Sequence, residues 1–231
     1  MGGGFLTSRG GDNYGTYALV EPDGTTHLHD KDLPSLWENS LFREGRDDGL
    51  VSTSLGDLGC AVGFEWARSA TARRLRGRVD ALVGGSCWWS YPDWPLVRGW
   101  FHRDHEYNRL LARDAFSAIA RSVGAPVVVS QHVGEIDSRT PLMPGVPWRA
   151  MMVGETQIVS HEGEVLRRLT YEDGEGHIGA DIELGPRVPR DPIPSAFWLR
   201  PMPSSIHVVW HQHRIHGRAL YRWRKARGQV G

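Results

Sequence analysis

Lys31 and Glu38 stand on either side of Pro34, in the run His29-Asp30-Lys31-Asp32-Leu33-Pro34-Ser35-Leu36-Trp37-Glu38. An ammonium close to a reacting carbonyl or nitrile stabilises the negative charge that develops on attack. A carboxylate near it keeps the amine charged and oriented. On residues alone, the same pair also reads as ordinary charges on a surface loop. The chain has 2 cysteines, Cys60 and Cys87. They lack CxxC spacing, so they suggest neither a zinc site nor a disulfide framework. A thiol is nonetheless the side chain most ready for nucleophilic attack. His102 and His105 lie three apart beside Glu106, and His211, His213 and His216 cluster near the end. Helical zinc sites want two histidines four apart with a glutamate between them. Neither cluster has that spacing, so solvated or core-satisfied histidines are expected, with no metal and no cofactor.

Positioning these groups falls to the stretch from Leu58 to Trp89. Leu58–Phe64 is short, apolar and rich in small residues, as a buried strand is. Ala67–Arg78 is rich in Ala and Arg without Pro or interior Gly, which predicts a helix, and Gly77 stands at its C-cap. Val79–Val83 is a second apolar strand, closed by Gly84-Gly85. Two apolar strands around a helix predict a parallel crossover. Chemistry in such sheets lies where the strands end, here near Gly63-Phe64-Glu65 and Gly85-Ser86-Cys87. Upstream, Gly2–Leu6 looks like the end of a strand with nothing before it to pair. Ser8–Asn13 reads as a polar turn. Tyr14–Glu21 and Thr25–His29 read as a hairpin closed by Pro22-Asp23-Gly24. Downstream come a loop of aromatics and prolines over Tyr91–Phe101 and a long helix over His102–Ser122, with Leu110, Leu111, Ala115 and Ile119 on its apolar face. A strand over Pro126–Ser130, a turn over Gln131–Gly134, a Pro-rich loop over Pro141–Pro147 and a hairpin over Val153–Val159 and Glu162–Leu166 follow.

The ordered set of segments resembles the nitrilase superfamily of carbon–nitrogen hydrolases. In that family a strand of the form G-x-x-x-C-[WY]-[ED] delivers a nucleophilic cysteine. Gly59 and Phe64-Glu65 match its flanks, and Gly85-Ser86-Cys87-Trp88 matches the small-residue turn of the next strand. Gly4-Phe5, Asn13 and Pro22-Asp23-Gly24 match the family's first hairpin. Lys31 and Glu38 match its catalytic lysine and a second acid. Arg113-Asp114-Ala115, Gln131–Gly134, Val153–Leu166 and Gly179–Leu184 follow in family order, so the resemblance covers about residues 4 to 184. It implies an α/β fold, a nitrilase-like sandwich of two β-sheets with outer helices. It also implies thiol-mediated hydrolysis of non-peptide C–N bonds in a small amide or nitrile, with Phe64, Glu65, Trp88 and Trp89 binding substrate.

Two departures bear on activity. The nucleophile position is Gly63, which has no side chain to attack with. The strand and helices that carry the family's first catalytic glutamate have no counterpart before Gly2, so the N-terminal part reads as missing. A pseudoenzyme is therefore expected. The alternative is a non-catalytic protein that uses the same pocket to bind a small amide, nitrile or carboxylate, or a partner subunit. Cys60 precedes position 63 by an odd number of residues and so faces away from it. Cys87 lies in the turn that lines the family's pocket, where Lys31 would lower its pKa and make it a substitute nucleophile. Its plainer role is a small residue packed under Trp88.

Composition sets the frame. Lys+Arg and Asp+Glu balance at 27 each, which favours neither nucleic acid nor a membrane surface as partner. After Asp191 the charged residues are all basic, and a solvated basic tail is expected. No apolar run reaches membrane-spanning length, no leader pattern opens the chain, and cysteine usage fits a reducing cytoplasm. The expected organisation is a hydrolase-like domain over 1–185 and a Pro-rich, then basic extension over 186–231, which would contribute a homo-oligomer contact.

Overall fold

Gly10 and Gly11 both take positive φ, 58° and 73°. That is the requirement of the tight turn that joins antiparallel strands without splaying them. They link β1 (Gly2–Arg9) to β2 (Asp12–Val20), paired from Gly2↔Leu19 to Arg9↔Asp12. The opening residues are thus a full strand whose partner follows it, not a strand end with nothing to pair. The polar turn is only these two glycines. β3 (Thr26–Asp30) completes a three-stranded antiparallel sheet, with β2 in the middle. The computed structural model describes residues 1–92, 94–139 and 145–230. Most of the expected Pro-rich loop over Pro141–Pro147 lies outside them.

The second sheet contains β4 (Leu50–Thr53), β5 (Gly56–Val62), β6 (Ala81–Ser86), β7 (Val127–Gln131), β8 (Val133–Arg139), β9 (Pro147–Val159) and β10 (Val165–Thr170). Its order is β10-β9-β7-β6-β5-β4, and β8 pairs only with β9. β5, β6 and β7 are parallel, as the crossover predicts. The helix between β5 and β6 is shorter than expected. Gly63–Ala67 is a 3-10 turn, and α1 covers only Ser69–Leu75. Arg76 leaves the helical region, and Gly77 turns the chain at φ 66°. Gly84 and Gly85 do not close β6; they lie inside it. A Cβ on Gly84 would sit 1.9 Å from the Ala61 carbonyl oxygen, so only glycine allows that approach of strands.

α2 (Arg98–Val123) and α1 cover one face of the large sheet. Trp66, Leu75, Leu82, Phe116, Ile119, Val123 and Val127 are fully buried between them. Apolar side chains at helical spacing on α2 meet alternating ones on the strands, and that burial is the main stabilising term. The three-stranded sheet packs on the opposite face, β1 against β6 and β2 against β5. The result is a two-sheet sandwich with helices outside.

Two elements differ from expectation. Gln131–Gly134 is no turn, since β8 begins at Val133 and runs with the first half of β9. β8 is largely exposed and polar, so it carries no apolar alternation. The basic tail is not simply solvated. α3 (Ser204–Ala226) lies on the 3-10 turn Leu36–Ser40. Lys225 meets Asp12 at 2.5 Å, Tyr221 donates to Asp12 at 3.0 Å, and Arg218 pairs with Glu44. Upstream, Arg187 pairs with Asp80 at 2.6 Å and Asp57 at 3.1 Å, which fastens the Pro-rich segment to the same body.

Candidate functional site

The parallel register decides where the site lies. Val62 pairs with Gly85, and Ser86 pairs with Gln131. The next residues, Gly63, Cys87 and His132, therefore emerge at one edge of the sheet. There they line a cleft of about 610 Å³, closed from the other side by Gly3–Leu6 of β1 and Gly15–Tyr17 of β2. Lys31, Glu38, Phe64 and Trp89 also line it.

Lys31 leaves the end of β3. Its backbone is fixed on both sides: Lys31 N–H donates to Gly15 O at 2.8 Å, and Gly45 N–H donates to Lys31 O at 2.8 Å. Its ammonium is buried and donates to Glu38 Oε2 at 2.5 Å. Glu38 sits on the 3-10 turn, where its carboxylate also accepts the Ser35 backbone N–H at 2.5 Å. The pair faces position 63. Gly63 has φ 58° at the junction of strand and turn, the bend on which a nucleophile is commonly presented. A Cβ built there would lie 2.7 Å from Lys31 Nζ. The bend at position 63 thus has an ammonium aimed at it and carries no side chain.

Cys87 is not packed under Trp88. It is exposed, and its Sγ lies 3.0 Å from His132 Nδ1. Its pKa is not lowered: partial desolvation pushes the thiol up, Glu38 adds to that, and Lys31 opposes it. His132 Nδ1 also lies 3.4 Å from Ser86 O. His132 was not singled out in the sequence. The available signal was its place at the end of β7, beside a strand whose end carries a cysteine. Gln131 adds a further group on the cleft wall, since its buried amide oxygen and nitrogen have no hydrogen-bond partner among the described residues.

The other expected residues divide. Phe64 and Trp89 line the cleft, and Trp89 packs edge-on against Trp37 with centroids 4.0 Å apart. Trp88 is buried, and its Nε1 donates to Asn108 Oδ1 of α2 at 3.0 Å, so it anchors the helix rather than facing a substrate. Glu65 is also away from the cleft wall. It accepts from His29 Nε2 at 2.9 Å, Val62 N at 2.8 Å, Arg74 Nη2 at 2.8 Å and Asp32 N at 3.1 Å. Burial pushes its carboxyl up, but His29 and Arg74 outweigh burial and hold it far below the carboxylate range. Burial alone would lower the His29 pKa, but hydrogen bonds to Asp47 and Glu65 raise it to about 9. Asp32 bridges Arg68 at 2.5 Å and Arg74 at 2.7 Å. This buried network ties together the loop that carries Lys31, the elbow and α1. Cys60 is buried away from the cleft, its thiol pushed up to about 12 by burial, with Asp47 and Glu65 adding to it.

No group of three or more His, Cys, Asp or Glu among the described residues is placed to hold a metal ion. No described helix is long and apolar enough to cross a membrane.

No family model and no curated protein matches the chain by sequence. Solved structures do match. A carbon–nitrogen hydrolase from Helicobacter pylori aligns with a TM-score of 0.56 at 19% identity, over 73% of this chain and 57% of that one. A CN-hydrolase superfamily protein from Xanthomonas campestris, with an arsenic adduct in its active site, aligns at 0.52 and 13% identity, over 73% and 57%. A mutant of the Nesterenkonia amidase from the nitrilase superfamily aligns at 0.52 and 15% identity, over 74% and 57%. The chain spans 57% of the length of these structures, and at such identities the likeness is one of fold. With two sheets and outer helices, the chain has the α/β sandwich fold seen in these carbon–nitrogen hydrolase structures of the nitrilase superfamily.

Proposed function

We propose that the cleft is a carbon–nitrogen hydrolase site for small amides or nitriles, in which the thiol comes from Cys87 instead of position 63. The observation that carries this reading is the 3.0 Å contact between Cys87 Sγ and His132 Nδ1, in the same cleft as Lys31. A nucleophile within hydrogen-bond reach of a base is the arrangement that activates a thiol whose own pKa is not lowered.

For an amide the steps balance as follows. His132 Nδ1 takes the thiol proton as Sγ bonds to the carbonyl carbon. The Lys31 ammonium, hydrogen-bonded to Glu38, faces the oxygen on which negative charge develops. The C–N bond breaks, and the imidazolium returns its proton to the departing nitrogen, which leaves as ammonia. Water then adds to the thioester, with His132 again as base, and releases the carboxylic acid and the free thiol.

One observation favours a second reading, a non-catalytic binder of a small amide or carboxylate. The family's nucleophile position is glycine, while the ammonium aimed at it is retained. Ammonia release from a panel of amides and nitriles separates the two. The hydrolase reading expects release by the native chain and a fall on the order of 10³-fold or more in Cys87→Ser. Silence from the native chain with release by Gly63→Cys would leave the binder.

A further inference from the structure

A smaller cleft, of about 280 Å³, lies between α3 and the segment that runs from Pro34 to Glu44. Phe42 lines both this cleft and the larger one that holds Lys31. α3 contributes Arg218, Tyr221, Arg222 and Lys225, whose three- and four-residue spacing puts them on one helix face. Asp12 of β2, Arg43 and Glu44 line it from the other side.

Its cations are unequally matched. Asp12 is shared: it accepts from Lys225 Nζ at 2.5 Å, from Arg43 Nη1 at 2.8 Å and from Tyr221 Oη at 3.0 Å. Glu44 accepts from Arg218. Arg222 is exposed and has no carboxylate partner among the described residues. It also stands one helical turn from Arg218, and like charges at that spacing disfavour a helix. The described side chains on this cleft thus bring together three guanidiniums and an ammonium against two carboxylates. A small concave site with such an excess attracts an anion.

We propose that this cleft binds a phosphate dianion, free or as the end group of a small monoester. A phosphate group carries a charge of about −1.5 to −2 near neutral pH, which matches the excess. Guanidinium forks suit its oxygens, since each can donate two parallel hydrogen bonds. Pro34 and Phe42 supply an apolar wall against which the carbon skeleton of a monoester could lie. A nucleic-acid strand is disfavoured. Asp12 and Glu44 stand among the cations and would face its successive phosphates, and the whole chain carries no excess of basic residues.

Isothermal titration calorimetry of the full chain at low ionic strength, where screening is weak, tests this with inorganic phosphate and with phenyl phosphate. A saturable heat is expected, and the tighter of the two probes distinguishes free phosphate from a monoester as the occupant. Arg222→Gln is expected to weaken binding about tenfold, the weight of a hydrogen bond to a charged group. Its unfolding midpoint should match that of the native chain, because Arg222 holds no carboxylate in place. Arg46→Gln removes the same charge from an exposed position outside the cleft and is expected to leave binding unchanged. The proposal is overturned if neither probe gives a saturable heat, if Arg46→Gln weakens binding as much as Arg222→Gln does, or if an oligothymidylate binds and phosphate does not compete with it.

Discussion

At the scale of single residues, His29 carries the clearest pH signature. Its pKa rises from 6.5 to about 9 on folding, so the folded chain holds a proton that the unfolded chain releases. The resulting stability is complete below about pH 6.5 and is lost as pH climbs through about 9. Urea unfolding is expected to show a loss of about 2 kcal/mol between about pH 6.5 and 8.5, and His29→Gln should flatten that slope. The window ends below the range in which the buried Cys60 thiol matters, since the unfolded thiol begins to ionise only near its ordinary pKa of 9.0. Gly63 makes a second residue-scale prediction. A side chain there must hold φ 58° and displace the end of Lys31, so Gly63→Cys should lower stability by about 1–3 kcal/mol in the same assay. Lys31 and Glu38 were legible in the sequence as a charged pair near a strand end. The role of Glu65 was not, because a carboxylate beside a presumed pocket gives no sign in sequence that it is buried against His29 and Arg74. His132 was hidden for another reason: its meaning depends on the register that sets it beside Cys87.

At the scale of elements, the crossover from β5 through α1 to β6 was readable because its strands are buried on both faces and its helix has few breakers. The arm of β8 and the start of β9 was not readable, because exposed, polar β8 buries no apolar stripe that would mark it as a strand. The tail shows a third case. Its helical spacing was visible, but its docking rests on Asp12 and Glu44, far away in sequence. Close approach of α3 also needs Gly217, where a Cβ would stand 2.8 Å from Asn39 Cβ. Gly217→Val is expected to lift α3 from the Leu36–Ser40 turn and to cost about 1–3 kcal/mol. Denaturant unfolding read by tryptophan fluorescence measures that loss.

At the scale of the whole molecule, the sandwich places a lysine, a thiol and an imidazole in one cleft from three separate strand ends. Sequence order revealed the sandwich, since many weak matches in a fixed order are jointly specific. The site was legible only in part, because the elbow of β5 carries a glycine while the thiol that lines the cleft stands at the end of β6, and a motif is read at a position. The most direct measurement is peptide mapping by mass spectrometry after brief reaction with p-nitrophenyl acetate and acid quench. A Cys87 thiol activated by His132 should retain an acetyl group on its own peptide, and His132→Gln should lose most of that label. An unlabelled Cys87, or labelling that is unchanged in His132→Gln, would contradict the assignment of this pair as the reacting centre of the cleft.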